Sequence, residues 1–275
     1  MRNQVFRAGK SFAAAVALVL LPLAGSGCRD EVGGELGSTL GGGTAPTAPA
    51  EAVNSYAHDP EAFTQGLVFD AGVLYESTGG RGTSSLRKVA LESGEVLERV
   101  AVPEPYFAEG LALLDERLYQ LTWQEKTAFV YDRASLKRVA AMSYAGEGWG
   151  LTTDGRLLIL SDGSNVLRFL APSTFEVVKT LPVVDGGEYV HYLNELEWVR
   201  GEIWANVWHR DQIARIDPQS GRVVAWLDLT HLAPAIRAEN PEAVPNGIAF
   251  DEQTGRVFVT GKLWPVLYEI RLPAP

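Results

Sequence analysis

A strand-opening dipeptide recurs five times along this chain, and it constrains the fold more than any other feature. Each copy places an aliphatic residue after glycine or, once, after glutamate: Gly66-Leu67, Gly110-Leu111, Gly150-Leu151, Glu195-Leu196 and Gly247-Ile248. The copies are 40 to 52 residues apart, and each is followed by a turn and a second apolar run. A unit of short antiparallel strands repeating at ~40–50 residues is typical of propeller blades. The five units therefore predict a five-bladed β-propeller.

The last unit indicates how the ring closes. It ends at Arg271-Leu272, one strand short of the others, whereas the stretch 52–56 lies before the first unit and can supply the missing strand. Such a strand also covers a sheet edge that would otherwise be exposed. We therefore expect an all-β domain over residues 52–275, with its last blade closed by an N-terminal strand.

Residues 1–27 are predicted to be a lipoprotein-type signal peptide. Basic residues precede an apolar run over residues 11–23, which is too short to span a bilayer comfortably. Small residues then lead to Cys28, the only cysteine, although Gly25 stands where the lipobox motif prefers Leu. The alternative is an ordinary signal peptide with an incidental cysteine. A lone cysteine has no internal disulfide partner, so lipid attachment at Cys28 is favoured.

The next segment and the net charge limit the surroundings of the protein. Residues 28–51 are rich in Gly, Thr and Pro and are predicted to form a flexible tether. The formal net charge of −10 argues against nucleic acid and anionic membrane surfaces as partners, because both attract basic patches. We therefore expect an exported bacterial cell-envelope protein on the periplasmic side, monomeric and in contact with membrane only through its lipid anchor.

Unusual polar and aromatic residues occur where two strand ends of each unit should meet. Consecutive strands of a blade are antiparallel, so the start of the innermost first strand and the end of the second lie on one face. The residues at these positions are Phe63, Gln65, Phe107, Glu109, Trp149, Asn194, Glu195 and Asn246 at the first strands, and Trp123, Trp208, Lys262 and Trp264 after the second. We therefore expect a small-ligand pocket at the axial opening of one face.

These residues also have structural interpretations. A tryptophan at a strand end often packs between blades, and Gln65 and Asn194 could tie neighbouring blades together. Glu109 and Glu195 could hold a metal ion or a structural water. The four histidines show no metal-ligand spacing, and no G-x-S-x-G motif is present. No metal site is therefore predicted from the spacing.

Ten short motifs extend through all five units, over roughly residues 55–270. They are Phe63-Thr64-Gln65-Gly66-Leu67, Tyr75-Glu76-Ser77-Thr78-Gly79, Glu109-Gly110-Leu111, Gln120-Leu121-Thr122-Trp123, Gly148-Trp149-Gly150-Leu151-Thr152, Ser161-Asp162-Gly163-Ser164, Leu193-Asn194-Glu195-Leu196-Glu197, Ala205-Asn206-Val207-Trp208, Asn246-Gly247-Ile248-Ala249 and Thr260-Gly261-Lys262-Leu263-Trp264-Pro265. In this order the motifs resemble the plant-type and bacterial glutaminyl-peptide cyclotransferases, which are five-bladed propellers. Gly80-Arg81-Gly82 departs from the family, which usually has an aromatic residue between the glycines, and we expect this to affect only the pocket rim.

The resemblance implies an acyltransferase that converts the N-terminal glutamine of peptides or proteins to pyroglutamate and releases ammonia. It assigns Glu109 as the catalytic proton shuttle. It also assigns substrate-binding residues: Gln65, Asn194 and Lys262 for orientation and oxyanion stabilisation, and Phe63, Phe107, Trp123, Trp149 and Trp208 as apolar walls. No cofactor is required, and a structural divalent cation such as Ca²⁺ on the axis is compatible with the pattern.

Two other functions remain open from the residues. The first is a non-catalytic envelope propeller that binds a peptide or protein on the same face. The second is a metal-dependent propeller lactonase, in which Glu109, Asn194, Glu195 and Asn246 would share one calcium ion. The presence of a general acid/base, amide donors and a lysine together favours the cyclising enzyme.

Overall fold

The computed structural model of this protein describes residues 43–271. The predicted signal peptide, Cys28 and the first part of the predicted tether lie outside the described residues. Within residues 43–271, no helix has the length and apolarity needed to cross a membrane. The described chain consists of β-strands, connecting loops and one four-residue helix, α1 (Ile236–Glu239).

The strands form five sheets of at least four strands each. Two strands precede the first unit of the repeat: β1 (Thr47–Pro49) and β2 (Ala52–Ala57). Blade 1 contains β3 (Thr64–Asp70), β4 (Val73–Thr78), β5 (Ser85–Ala90) and β6 (Val96–Ala101). Blade 2 contains β7 (Ala108–Leu114), β8 (Arg117–Thr122), β9 (Thr127–Asp132) and β10 (Arg138–Ser143). Blade 3 contains β11 (Leu151–Thr153), β12 (Leu158–Leu160), β13 (Val166–Leu170) and β14 (Val177–Pro182).

A short hairpin separates the third and fourth blades. Its strands are β15 (Val184–Asp185) and β16 (Glu188–Tyr189). Blade 4 contains β17 (Leu193–Val199), β18 (Glu202–Val207), β19 (Gln212–Ile216) and β20 (Val223–Asp228). Blade 5 contains β21 (Pro245–Asp251), β22 (Arg256–Gly261) and β23 (Val266–Ile270), with β2 as its fourth strand.

The first strands of the blades line the axis of the propeller. Strands β3, β7, β11, β17 and β21 contact one another in sequence, and β21 returns to β3, so they form a closed ring. These inner strands are buried over most of their length, whereas the outer strands β6, β10 and β14 are largely exposed. Five apolar clusters fill the five interfaces between neighbouring blades. The predicted five-bladed propeller is confirmed.

The N-terminal strand closes the ring as predicted. Strand β2 pairs antiparallel with β23, the third strand of blade 5, and Ser55 lies opposite Tyr268 in the register. Blade 5 thus combines one strand from the start of the domain with three from its end. This arrangement leaves no gap between the first and last blades.

The folded region begins earlier than the predicted boundary at residue 52. Strand β1, within the predicted tether, pairs in parallel with β20, the outermost strand of blade 4. The backbone N–H of Ala50 donates to Asp228 O at 2.9 Å, and Ala50 is buried. An exposed sheet edge pairs through backbone groups, so it accepts a strand with few apolar side chains. Composition therefore gives no signal for β1.

The strand-opening glycines allow the inner strands to approach each other closely. A Cβ atom on Gly150 would lie 1.9 Å from Asn194 O, and one on Gly110 would lie 2.4 Å from Leu151 N. Both neighbours are backbone atoms that cannot move aside. The repeated glycine of the sequence is therefore a packing requirement at the narrow axis.

Candidate active site

A cavity of about 190 Å³ lies at one end of the axis, where inner strands begin and second strands end. Its lining consists of Phe63, Gln65, Phe107, Glu109, Trp123, Trp149, Asn194, Trp208, Glu242 and Lys262. The structure thus brings together the nine residues that the family resemblance assigns to the site, whereas Glu195, Asn246 and Trp264, also expected at the opening, do not line the cavity. It adds Glu242, an exposed residue of the loop before β21, which the sequence analysis missed. The only available signal was its position three residues before the Pro245-Asn246-Gly247 strand opening.

Irregularities in the inner strands place three of the polar side chains. In β7, two residues that include Glu109 lie opposite a single residue of the second strand. In β17, two residues that include Asn194 do the same. The register of β3 also shifts at Gln65. Such β-bulges re-aim side chains and interrupt regular pairing. The bulges therefore turn polar groups of different blades toward a common opening.

Glu109 is a buried carboxyl group, only 5% exposed. Burial raises its pKa well above the ordinary value, and the negative charges of Glu147 and Glu125 act in the same direction against the opposing charge of Lys262. The backbone carbonyl of Glu109 accepts a hydrogen bond from Ser77 Oγ at 2.5 Å, which ties this position to blade 1. A carboxyl group with a raised pKa can both accept and donate a proton near neutral pH.

Lys262 places a buried ammonium group in the same cavity. Its Nζ lies 4.7 Å from the ring centroid of Phe63, within cation–π distance. Burial lowers the pKa of Lys262, while the negative charges of Glu109 and Glu242 oppose this shift. The cavity therefore holds a buried carboxyl group, Glu109, and a buried amino group, Lys262, which carry opposite charges when both are ionised.

Two buried polar atoms of the cavity wall have no hydrogen-bond partner among the described residues: Asn194 Oδ1, an acceptor, and Trp208 Nε1, a donor. Gln65 is partly engaged, because its Oε1 accepts from Asn246 Nδ2 at 3.1 Å while Asn246 Nδ2 also donates to Thr64 O. Leaving a buried polar group unpaired costs about 1–3 kcal/mol. A ligand that both donates and accepts hydrogen bonds would satisfy these atoms.

Aromatic rings enclose the polar groups. Phe107 contacts Phe63 and Trp123 at centroid distances of 6.3 and 5.9 Å, and Trp149 contacts Trp208 at 5.5 Å, all with edge-to-face geometry. Trp264, which the sequence also placed at the opening, lies elsewhere. It is fully buried, and its Nε1 donates to Ala243 O at 2.9 Å, so it supports the loop before β21.

The axial residue Glu195 links neighbouring inner strands through hydrogen bonds to their backbone. It is fully buried, and its two oxygens accept the backbone N–H groups of Leu67 at 3.3 Å and Ile248 at 2.9 Å. Asn246 likewise points its amide nitrogen at acceptors. N–H donors around an oxygen do not fit a cation, and no group of three or more acidic, His or Cys residues suited to a metal occurs within residues 43–271. Both Glu195 oxygens are thus used by backbone donors, whereas Asn194 Oδ1 and Asn246 Oδ1 have no hydrogen-bond partner among residues 43–271.

A larger cavity of about 400 Å³ opens at the other end of the inner strands. It is lined by turn residues such as Asp70, Asp115 and Asp154, together with Glu197. Burial raises the pKa of Glu197 to about 8, although Phe250 N–H and Thr152 Oγ1 donate to it. None of the predicted site residues lies there.

The rim of the smaller cavity carries the departure from the family motif. Arg81 is exposed, donates to Pro105 O at 2.8 Å and pairs with Glu125 at 3.1 Å. Glu125 in turn accepts the backbone N–H of Phe107 at 3.3 Å. Arg81 is thus linked to Phe107 of the cavity lining through Glu125.

Comparison with known proteins agrees with the fold. The family model described as glutamine cyclotransferase matches residues 31–272. A glutaminyl-peptide cyclotransferase of Arabidopsis thaliana is 45% identical over 226 residues, which are 81% of this chain and 71% of the plant protein. The crystal structure of Myxococcus xanthus glutaminyl cyclase superposes with a TM-score of 0.78 at 42% identity, covering 82% of this chain and 97% of that one. This chain therefore belongs to the glutamine cyclotransferase family of enzymes.

Proposed function

We propose that this protein converts the N-terminal glutamine of peptides and proteins to pyroglutamate and releases ammonia. One observation carries the proposal: a small aromatic cavity holds a buried carboxyl group of raised pKa beside an unpartnered amide acceptor and an unpartnered indole donor. A glutaminyl residue offers an amine, a carboxamide and a backbone carbonyl to these groups. The activities named for the Arabidopsis and Myxococcus relatives support the same reaction.

The reaction requires a substrate conformer in which the α-amine lies next to the γ-carboxamide carbon. The α-amine nitrogen attacks the γ-carboxamide carbon and closes a five-membered ring, and the bond from that carbon to the amide nitrogen then breaks. Holding the reacting atoms together can account for several kcal/mol of the barrier. The aromatic walls, which leave room for only a small group, are suited to select that conformer.

Glu109 is the proton carrier in this scheme. Its carboxylate accepts a proton from the attacking amine, and the resulting carboxylic acid donates a proton to the departing nitrogen, which leaves as ammonia. The net proton balance at Glu109 is zero. A pKa raised by burial supports both steps, since neither protonation state is then strongly disfavoured near neutral pH.

The remaining polar groups suit the charge that develops on the carboxamide oxygen. The donors are the Lys262 ammonium, which lies over the Phe63 ring, and the Trp208 indole N–H, which has no hydrogen-bond partner among residues 43–271. Asn194 Oδ1 can accept an N–H group of the substrate and so orient it. Preorganised donors aimed at a developing oxyanion are worth about 10²–10³ in rate when one is removed.

The proposed activity is tested by ammonia release from a glutaminyl dipeptide, with an asparaginyl dipeptide as the matched substrate control. We expect release from the glutaminyl peptide only, and the same rate after chelation, because no step uses a metal. Peptide binding without ammonia release would instead identify a non-catalytic propeller. Loss of activity on chelation would refute the metal-free scheme.

A further inference from the structure

A single carboxylate outside the cavity lining holds two of its walls. Glu147 Oε2 accepts the indole N–H of Trp123 at 2.7 Å and that of Trp149 at 3.0 Å. Its other oxygen accepts from Gln124 Nε2 at 3.1 Å. Partial burial raises the pKa of Glu147, but these three donors together outweigh that effect and lower it, so the group stays ionised at neutral pH. Hydrogen bonds to an ionised acceptor are the stronger kind.

The segment that carries Glu147 is itself anchored. Arg168 donates to the backbone carbonyls of Ala145 and Glu147, the latter at 2.9 Å, and pairs with Asp162 at 3.1 Å. The backbone N–H of Gly148 donates to Trp123 O at 3.0 Å. The carboxylate therefore starts from a fixed backbone position.

The two indoles belong to different blades. Trp123 follows β8 of blade 2, and Trp149 precedes β11 of blade 3. Both side chains are partly exposed, and each also packs edge-to-face against another ring of the cavity wall. The shared acceptor adds a directional contact to both rings at once and links the two blades at the mouth of the cavity.

We propose that Glu147 is a positioning residue, which keeps Trp123 and Trp149 in place as walls of the substrate cavity by accepting both indole N–H groups on one carboxylate oxygen. The consequence for catalysis rests on the proposed function; the consequence for the indoles does not. The Glu147 charge has a second effect, because it raises the pKa of Glu109 together with the charge of Glu125 and against that of Lys262.

Two substitutions separate geometry from charge. Glu147→Gln keeps an oxygen that can accept indole N–H groups but removes the charge, whereas Glu147→Leu removes both at similar size. The matched control is Glu202→Gln. Glu202 Oε2 accepts the indole N–H of Trp204 at 3.1 Å, in blade 4 and outside the cavity lining.

The indole N–H signals in a ¹⁵N–¹H correlation spectrum report the contact directly. The chain has seven tryptophans, and Trp123→Phe and Trp149→Phe identify the two signals of interest. We expect Glu147→Leu to shift both signals upfield, Glu147→Gln to shift them less, and Glu202→Gln to shift only the Trp204 signal. If Glu147→Leu leaves the two signals in place, the positioning role is refuted even if the wild type proves inactive.

Steady-state kinetics test what the indole positions do for the substrate. In Glu147→Leu we expect KM to rise about tenfold with little change in kcat, because walls without their shared acceptor bind substrate and transition state less well to a similar degree. In Glu147→Gln we expect KM within about threefold of wild type, because acceptor geometry persists. In both variants the acid limb of the kcat–pH profile should move to lower pH, since a negative charge that raises the pKa of Glu109 is gone. An unchanged KM in Glu147→Leu would overturn the positioning role in catalysis, and an unmoved acid limb in both variants would overturn the charge effect on Glu109.

Discussion

His58 connects the closing strand of the ring to blade 1, and its removal gives the sharpest stability prediction. It follows β2, and its Nδ1 lies 2.6 Å from Trp264 O while its Nε2 lies 2.9 Å from Glu76 Oε1. Both ring nitrogens thus face acceptors, which is the pattern of a doubly protonated imidazolium. Burial lowers the pKa of His58, but the charge and hydrogen bond of Glu76 outweigh this effect and raise it.

The change His58→Ala leaves a buried carboxylate with weaker partners. Glu76 is 2% exposed and retains a hydrogen bond from Thr64 Oγ1 at 2.7 Å and the Arg87 guanidinium at 3.8 Å. Removing one partner of a buried ion pair costs about 3–5 kcal/mol. Because two partners of Glu76 remain, we expect the lower end, about 3 kcal/mol, as the loss in free energy of unfolding.

The pH dependence of that loss follows from the two pKa shifts. The raised pKa of His58 gives stability that is complete below its ordinary value of 6.5 and disappears as the pH rises through the folded value. Burial raises the pKa of Glu76, but His58 and Thr64 outweigh burial, so the pKa is lowered overall. The contribution of Glu76 to stability is therefore complete above pH 4.5 and disappears as the pH falls through the folded pKa. The difference between wild type and His58→Ala should therefore be largest between about pH 4.5 and 6.5.

Urea unfolding followed by near-ultraviolet circular dichroism measures this difference at pH 5.5 and pH 9. The exposed His231 provides the matched control, and His231→Ala should change the free energy of unfolding by less than about 0.5 kcal/mol. A loss below 1 kcal/mol in His58→Ala, or a loss that does not shrink at alkaline pH, would refute the charged-pair interpretation.

Three further predictions concern the site, the axis and the anchor. Lys262→Met should lower kcat/KM for a glutaminyl peptide by about 100-fold, since one oxyanion donor is removed, and an unchanged value would argue against that role. Gly150→Ala should lower the free energy of unfolding by about 2 kcal/mol or more, because its Cβ would meet Asn194 O; a neutral result in urea unfolding would contradict the close-packed axis. Cys28→Ala should move the protein from the membrane fraction to the soluble fraction of the producing bacterium, and retention in the membrane would refute lipid attachment at Cys28.

The sequence predicted the parts of the fold that depend on local pattern. Each strand-opening dipeptide marks an inner strand, and at Gly150 only glycine fits because a Cβ would meet Asn194 O. The missing strand of the fifth unit indicated β2. The nine site residues followed from strand ends and family motifs, and all nine line one cavity.

Features that depend on partners distant in sequence were not predicted. Strand β1 pairs through backbone groups alone, so its composition resembles a tether. Trp264 follows a second strand as Trp208 does, but it is buried outside the cavity lining, where its indole N–H donates to Ala243 O. The role of Glu147 depends on one oxygen that accepts indole N–H groups from two blades, and a local sequence pattern does not reveal such a contact.

The central claim is tested most directly by the rate of ammonia release from a glutaminyl dipeptide for wild type and Glu109→Gln, with thermal unfolding to confirm that the variant is folded. Glutamine is close in size to glutamate but cannot carry the proton. We expect rapid release by wild type and a loss of at least about 10²-fold in kcat for a variant that unfolds at a similar temperature. Full activity in Glu109→Gln would contradict the proton-carrier mechanism, and an inactive wild type would contradict the proposed function.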